Sequence, residues 1–269
     1  MLIDQVSDDA PVIGTQSFID VDIAILTSDT LLRTVRHFSQ LPHFSYIVTP
    51  NVDHFVSLNR KGGRAPTDAF RAAYQGAALR LCDSRVVARL ARLCDIVLPV
   101  HPGSDLTATL FDRLLLDGDH VAIIGGKADT VDRLKRKYPA PRYSQHIPPM
   151  GLLTNQSAMA AAEDFVRTTG AAFTLFAIGA PQSEILAHRC AHGDGARGVG
   201  LCIGASIDFL LGDQVRAPQW MQRSGIEWAH RLASHPRRLA RRYLIEGPRI
   251  FPLAIKWWYR TRHVRSVAK

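Results

Sequence analysis

The chain has 269 residues, 46 % of them hydrophobic, and carries 33 Lys and Arg against 24 Asp and Glu for a net charge of +9. This length suits one large α/β domain or a domain plus an appendage, and the apolar fraction suffices for a core. No apolar run approaches the ~20 residues of a spanning helix. The acidic first 18 residues lack the cationic start and apolar stretch of a signal peptide. Cys82, Cys94, Cys190 and Cys202 form no CxxC pair and read as buried thiols of a reducing compartment, not as a zinc set.

In chain order, IDVDIAILT (19–27) alternates as a strand, and a helix follows from about Ser28 to Leu41. SYIVTPNVD (45–53) is a strand that Thr49-Pro50-Asn51 stops, with Asn51 placed to cap the next helix. The basic, Gly-rich piece 60–68 reads as a loop, and AFRAAYQGA as a helix. ALRLC (78–82) is a short strand. SRVVARLARL (84–93) is a helix with an expected apolar stripe at Val86, Val87, Leu90 and Leu93. Asp83 falls at this strand-to-helix junction, where an acid serves as a helix cap or as a base at the rim of a crevice. After IVLPV, Ser104 or Asp105 is positioned to cap a further helix.

HVAIIGG (120–126) is an apolar strand ending in two glycines, followed by the helix ADTVDRLKRKYP; no element is assigned to 140–170. AAFTLFAIGAP (171–181) is a strand ending at Gly-Ala-Pro, SEILAHRCAH a helix, and GVGLCIGASIDFLLG holds the last strand. Strand and helix alternating over some 200 residues predict an α/β, Rossmann-like, mostly parallel sheet with helices on both faces. Ligands in such sheets sit at the carboxyl ends of the strands. Thr49, Asn51, Asp83, Gly125, Gly126, Gly179 and Gly204 all fall there.

Charge divides the chain. From Arg216 onward there are 13 Lys and Arg and two acids, which leaves this segment at +11 and the remainder at −2. All four tryptophans (Trp220, Trp228, Trp257, Trp258) also lie here. The expected organisation is an N-terminal extension over 1–18, a catalytic body over 19–212 and a basic, helical C-terminal appendage over 213–269. Such an appendage suits a phosphate-bearing ligand or an anionic membrane face. Within it, Ile226, Trp228, Leu232 and Leu239 mark an apolar face, and Arg231, Arg238 and Arg241 share a side if helical order survives Pro236. Arginine forks at that spacing suit a diphosphate; the bland alternative is a solvated basic face.

Other signals are weaker. IIGGKADT is neither GxGxxG nor a Walker motif, so its glycines serve a phosphate approach or a tight turn. DVD (20–22) and DGD (117–119) have the Asp-x-Asp form of a metal clamp, but strand-edge and turn solvation account for them as well. His54, His101, His188 and His230 are scattered and complete no catalytic order.

IGASIDFLLGDQVRAPQWMQRSGIEWAHRLASHPRRLARRYL resembles the closing signature of the WecG/TagA/CpsF family of bacterial glycosyltransferases (glycosyltransferase family 26). TPN (49–51), Asp83, GSDL (103–106), IIGGKADT (123–130), PPMG (148–151) and GAPQSE (179–184) match upstream, so the resemblance spans roughly 20–245. It implies an inverting hexosyltransferase that needs no metal and no cofactor. A UDP-sugar is the donor, and the acceptor is a saccharide on polyprenyl (undecaprenyl) diphosphate, in exopolysaccharide or cell-envelope polysaccharide assembly. It also implies a cytoplasmic enzyme, peripheral on the anionic inner membrane through its appendage, that binds no nucleic acid; homo-oligomerisation is left open. N-acetylmannosamine, its uronic acid and glucose are all used in the family.

The resemblance makes Asp83 the base, sets Thr49 and Asn51 beside it, and brings Arg231, Arg238 and Arg241 to the diphosphate. It leaves Gly125, Gly126, Gly179 and Gln182 to the nucleotide. Two departures stand out. Asp83 is followed by Ser84 where the family has Gly, and GAPQSE replaces GAPKQE, which moves the glutamine to Gln182 and puts Ser183 in its place. The rival readings are a nucleic-acid binder using the basic tail, which would want a stacking platform or recognition helix, and an NAD enzyme, which would want a GxGxxG after the first strand.

Overall fold

The computed structural model describes residues 13–60 and 65–267, with the side chains at 65, 66, 238 and 263–267 outside that description. Its centre is a six-stranded, all-parallel sheet in the order β4-β3-β8-β7-β5-β6. The strands are β3 (Phe44–Val48), β4 (Leu79–Arg80), β5 (His120–Gly125), β6 (Arg142–His146), β7 (Phe173–Ala177) and β8 (Gly198–Cys202). Their inward residues alternate. Tyr46, Val48, Ile124, Phe176 and Cys202 enter the core on one face, while Ile47, Ile123, Leu175 and Leu201 enter the other. A period of two with both faces apolar requires helices on both sides, as the sequence predicts.

The first predicted strand is instead half of a hairpin outside this sheet. β1 (Gly14–Phe18) and β2 (Val21–Ile25) pair antiparallel across Ile19-Asp20, both at positive φ, the turn geometry that matches strand twist. Arg80 of β4 donates to the Asp22 carbonyl at 2.7 Å. Of the expected extension 1–18, residues 1–12 lie outside the described ones and 14–18 form β1.

One face carries α2 (Val52–Leu58), α3 (Ala65–Gln75), α4 (Arg85–Arg92), α7 (Gln156–Thr169) and α8 (Gln182–His192); the other carries α1 (Ser28–Ser39), α5 (Gly103–Thr109), α6 (Thr130–Lys137) and α9 (Ser206–Leu210). Helix α3 starts inside the predicted loop 60–68, of which 61–64 lie outside the described residues. The buried positions of α4 are Val87 and Ala91, while Leu93 is 79 % exposed. Of the expected stripe, Val87 is buried and Leu90 packs partly buried against the core, Val86 lines the smaller cavity, and Leu93, at the helix end, is exposed while Ala91 takes the inward position. The segment left unassigned contains β6, a polar edge strand (RYSQH), and α7.

The basic segment continues as α10 (Gln219–Arg223), α11 (Glu227–Ser234), α12 (Pro236–Ala240) and α13 (Ile250–Val267). It packs on the α2–α4 face, where Ile250, Ala254 and Trp257 of α13 are buried in the same core as Phe18 and Phe55. Arg85 Nε donates to the Gln222 carbonyl at 2.8 Å, and Arg89 reaches the Ser224 and Arg223 carbonyls. Both bring positive charge to the carbonyl end of α10. Among the described residues no helix is long and apolar enough to cross a membrane.

Candidate active site

Because β4, β3, β8 and β7 are consecutive in the sheet, the loops leaving their carboxyl ends share one rim. Two cavities open there, of about 410 and 610 Å³, and Asn51, Asp53, Asp83, Arg231 and Arg242 line both. The smaller cavity is walled on its far side by Val86, Trp228, Tyr243, Leu244 and Phe251. The larger runs past Thr49, His54, Gly179, Glu184 and Ser206.

Asp83 stands directly on the boundary. Its backbone amide donates to the Pro50 carbonyl at 3.1 Å. Its carboxylate Oδ1 accepts from the backbone amide of Gly103 at 2.7 Å. Asp83 is thus the cap of α5, and the cap comes from a neighbouring strand. Pro102 and not Ser104 or Asp105 precedes that helix, with no side-chain cap of its own; Asp105 pairs with Arg216. Burial pushes the Asp83 carboxyl up to about 6; the Gly103 amide and nearby Arg231 pull it down, and Glu227 and Asp105 push it up again. A carboxylate in that range, with Oδ2 free of any donor among the described residues, can take a proton near neutrality.

Thr49 is buried and donates to the Cys202 carbonyl at 3.1 Å. Asn51 caps α2 through its Oδ1, which accepts from the Asp53 amide at 3.0 Å, as its position after β3 predicts. Gly103 closes the group. A Cβ there would lie 3.3 Å from Thr49 Oγ1, 3.5 Å from Ser206 Oγ and 3.8 Å from Asp83 Oδ1.

The predicted arginines separate. Helix α11 ends at Ser234, and His235 breaks the direction before Pro236 opens α12. Arg231 reaches both cavities, donates to Glu227 Oε1 at 3.0 Å and lies 4.9 Å from the centre of the Phe209 ring. The side chain of Arg238 lies outside the described residues. Arg241 is 81 % exposed and is not itself a lining residue, but it pairs at 3.3 Å with Glu246, which lines the larger cavity. Its neighbour Arg242 takes the cavity position and pairs with Asp53. Residues 241–246 form a wide π turn, and that changed winding turns Arg242 inward, so a helical count from Arg231 missed it. The expected apolar face divides as well: Leu239 is buried, but Trp228 is 39 % exposed and packs near Tyr243.

Of the glycines, Gly179 lines the larger cavity at positive φ. Gly125 and Gly126 line neither. A Cβ on Gly125 would come within 2.7 Å of the Ala177 carbonyl, and one on Gly126 within 2.9 Å of Thr130 Oγ1, and both have positive φ, so close packing and backbone geometry account for both glycines. Gln182 begins α8 outside the cavity linings, while Ser183 and Glu184 face the larger one. Asp20 pairs with Arg260 and Asp119 with Arg36, so each Asp-x-Asp motif has a cationic partner. Among the described residues no group of three His, Cys, Asp or Glu side chains is disposed to hold a metal ion. His54 is neutral, lowered to about 3 by burial and by Arg242, with its Nδ1 2.7 Å from Tyr74 Oη.

A strand-end carboxylate, a buried threonine, a capping asparagine and two arginines supplied from the far end of the chain meet at one boundary. The model of the Glycosyl transferase WecG/TagA/CpsF family matches residues 16–264, nearly the whole chain. The protein therefore belongs to the WecG/TagA/CpsF family of glycosyltransferases.

Proposed function

We propose that the protein transfers a hexose, with inversion, from a UDP-sugar to a saccharide carried on polyprenyl diphosphate during assembly of an exopolysaccharide or cell-envelope polysaccharide. The observation that carries this reading is the position of Asp83 in the wall shared by two cavities of different character. The larger, polar cavity takes the nucleotide sugar. The smaller one, with Trp228, Tyr243, Leu244 and Phe251 along it, takes the acceptor with its lipid-proximal end.

In this scheme Asp83 Oδ2 accepts the proton of the acceptor hydroxyl while that oxygen attacks the anomeric carbon. The bond to the UDP oxygen breaks on the opposite face. One displacement inverts the centre and needs a single carboxylate, whereas a retaining route needs a second as nucleophile. Arg231 and Arg242 offset the charge that develops on the departing diphosphate, and each such preorganised contact contributes about 2–4 kcal/mol. Arg242 is held by Asp53, so the diphosphate must compete with that carboxylate for it.

The acceptor cavity opens toward an apolar surface. Leu244, Ile245, Phe251, Ile255 and Tyr259 are all 50–59 % exposed, and Lys256 and Arg262 stand among them. An amphipathic surface with this mixture suits the interface of an anionic membrane, which would bring the lipid-linked acceptor to the cavity mouth.

The deciding experiment uses the full chain, a panel of UDP-sugars and a synthetic polyprenyl-diphosphate sugar, with products read by mass. The expected result is one added hexose of inverted configuration. Asp83→Asn keeps the oxygen that accepts from Gly103, so it should fold and bind UDP while losing about 10²–10⁴ in turnover. A variant with near-normal turnover would remove Asp83 from the role of base.

A further inference from the structure

Arg85, Arg216, Arg231 and Arg242 all line the smaller cavity. Three of them already hold a carboxylate. Arg216 pairs with Asp105, Arg231 with Glu227 at 3.0 Å, and Arg242 with Asp53. Arg85 has no acidic partner among the described residues. Its side chain makes one hydrogen bond there, from Nε to the Gln222 carbonyl at 2.8 Å. That bond fixes the guanidinium against α10 and leaves the four N–H groups of its two terminal nitrogens to a ligand. Neither terminal nitrogen is sealed off, for the buried arginine atoms without a partner are Nε of Arg216, Arg231 and Arg242.

Local backbone geometry sets this arginine beside the base. Ser84, between the two, is extended at φ −111° and ψ 121°, and it caps α4 with an Oγ that accepts from the Val87 amide at 3.4 Å. Residues two apart in extended chain point to one side with their Cα atoms roughly 6.6 Å apart. Asp83 and Arg85 accordingly share the wall of the smaller cavity. Arg85 is absent from the lining of the larger one, so it serves what enters beside the donor and not the donor itself.

A fixed guanidinium without a counter-ion matches a phosphate or diphosphate, whose oxygens take two parallel N–H bonds. The rest of the cavity narrows the choice. Trp228, Tyr243, Leu244 and Phe251 suit an apolar chain, and Asp83 suits a sugar hydroxyl. A molecule with a hydroxyl, a phosphate ester and a long hydrocarbon satisfies all three. Arg231 and Arg242 line both cavities, which leaves them available to the donor.

We propose that Arg85 is an acceptor-binding residue: its free guanidinium fork holds the diphosphate of the polyprenyl-linked acceptor and so delivers the acceptor hydroxyl to Asp83. This rests on the smaller cavity's being the acceptor site.

The test measures steady-state transfer, at a saturating UDP-sugar, to farnesyl diphosphates carrying glucose, galactose or N-acetylglucosamine, so that the diphosphate is the acceptor's sole anion. Calorimetry gives the UDP affinity of each variant. Arg85→Gln should raise acceptor KM about 10–100-fold, the range of a charge-assisted hydrogen bond, with a smaller fall in kcat and UDP affinity within about twofold. Arg85→Lys keeps the charge without the fork or the Nε bond, and should return KM to within about tenfold of wild type. Arg89→Gln controls for docking of the basic segment. Arg89 holds the Ser224 and Arg223 carbonyls but lines neither cavity, so its loss should leave acceptor KM within about twofold. An acceptor KM unmoved in Arg85→Gln, an equal rise in Arg89→Gln, Arg85→Lys no better than Arg85→Gln, or an equal loss of UDP affinity would overturn the proposal. Transfer by wild type to none of the three acceptors would instead overturn the acceptor reading of the smaller cavity, and this inference with it.

Discussion

Asp83 Oδ1 and the backbone amide of Gly103 are 2.7 Å apart, and that contact joins the end of β4 to the start of α5. It holds the carboxylate by one oxygen and leaves the other toward the cavities. Gly103 is hemmed in by Thr49, Ser206 and Asp83, so Gly103→Ala presses a methyl group onto the whole cluster. Overpacking of this kind costs about 1–3 kcal/mol, and small displacements of a reacting group cost up to ~10² in rate. The expected outcome is a melting temperature lowered by a few degrees, UDP affinity within about twofold, and turnover reduced about 10–100-fold. Loss of UDP binding in step with turnover would count against a local effect on Asp83.

The pH dependence of the reaction follows from the same carboxyl, which titrates near 6. With Asp83 as the proposed base, the ionised form is the active one, so kcat/KM should rise about tenfold per pH unit below 6 and level off above 7. Arg231 pulls that value down. Arg231→Gln should therefore move the limb to higher pH as well as lower the plateau, and a limb that stays in place would show that Arg231 does not face the base.

Stability should carry the signature of Glu184. Its folded value of about 7 lies above the ordinary 4.5, so the folded state holds a proton that the unfolded chain releases. That contribution is complete below about pH 4.5 and is lost as pH rises through 7. Replacing the acid by Glu184→Gln removes the loss, a gain of up to about 3 kcal/mol at pH 8 and none at pH 4. Urea midpoints of the two proteins should diverge with rising pH. Parallel curves would show that the acid is not buried in solution.

Trp257 ties the basic segment to the body. Its ring meets Phe18 edge-on at 5.3 Å between centroids and is 7 % exposed. Trp257→Ala should cost about 3–5 kcal/mol and also reduce turnover, because Arg231 and Arg242 depend on the docked segment. A destabilised variant with full turnover would separate docking from catalysis.

On α13 the residues Phe251, Ile255 and Tyr259 recur every four positions on the side opposite Ile250, Ala254 and Trp257. Replacing the three exposed residues by serine leaves the core contacts intact. Sedimentation with phosphatidylglycerol-rich vesicles should fall several-fold, while melting stays within a few degrees. Unchanged sedimentation would place the membrane contact elsewhere.

Periodicity and turn chemistry, both local properties, made much of this legible in the chain itself. The apolar runs that became β3, β5, β7 and β8 announce a two-faced parallel sheet, and Asn51 announces its own cap. Strand β6 escaped because a polar edge strand carries no apolar alternation, and the first predicted strand forms as read but pairs in a separate hairpin, because its pattern does not say which partner it takes. What only the tertiary structure decided was which distant groups meet. The sheet order sets Asp83 beside Gly103, a π turn puts Arg242 in the cavity wall next to the exposed Arg241, and the packing of α8 buries Glu184 against the cavity. Each of these depends on contacts between residues far apart in the chain, and those arise from the closing of the fold and not from any local run of side chains.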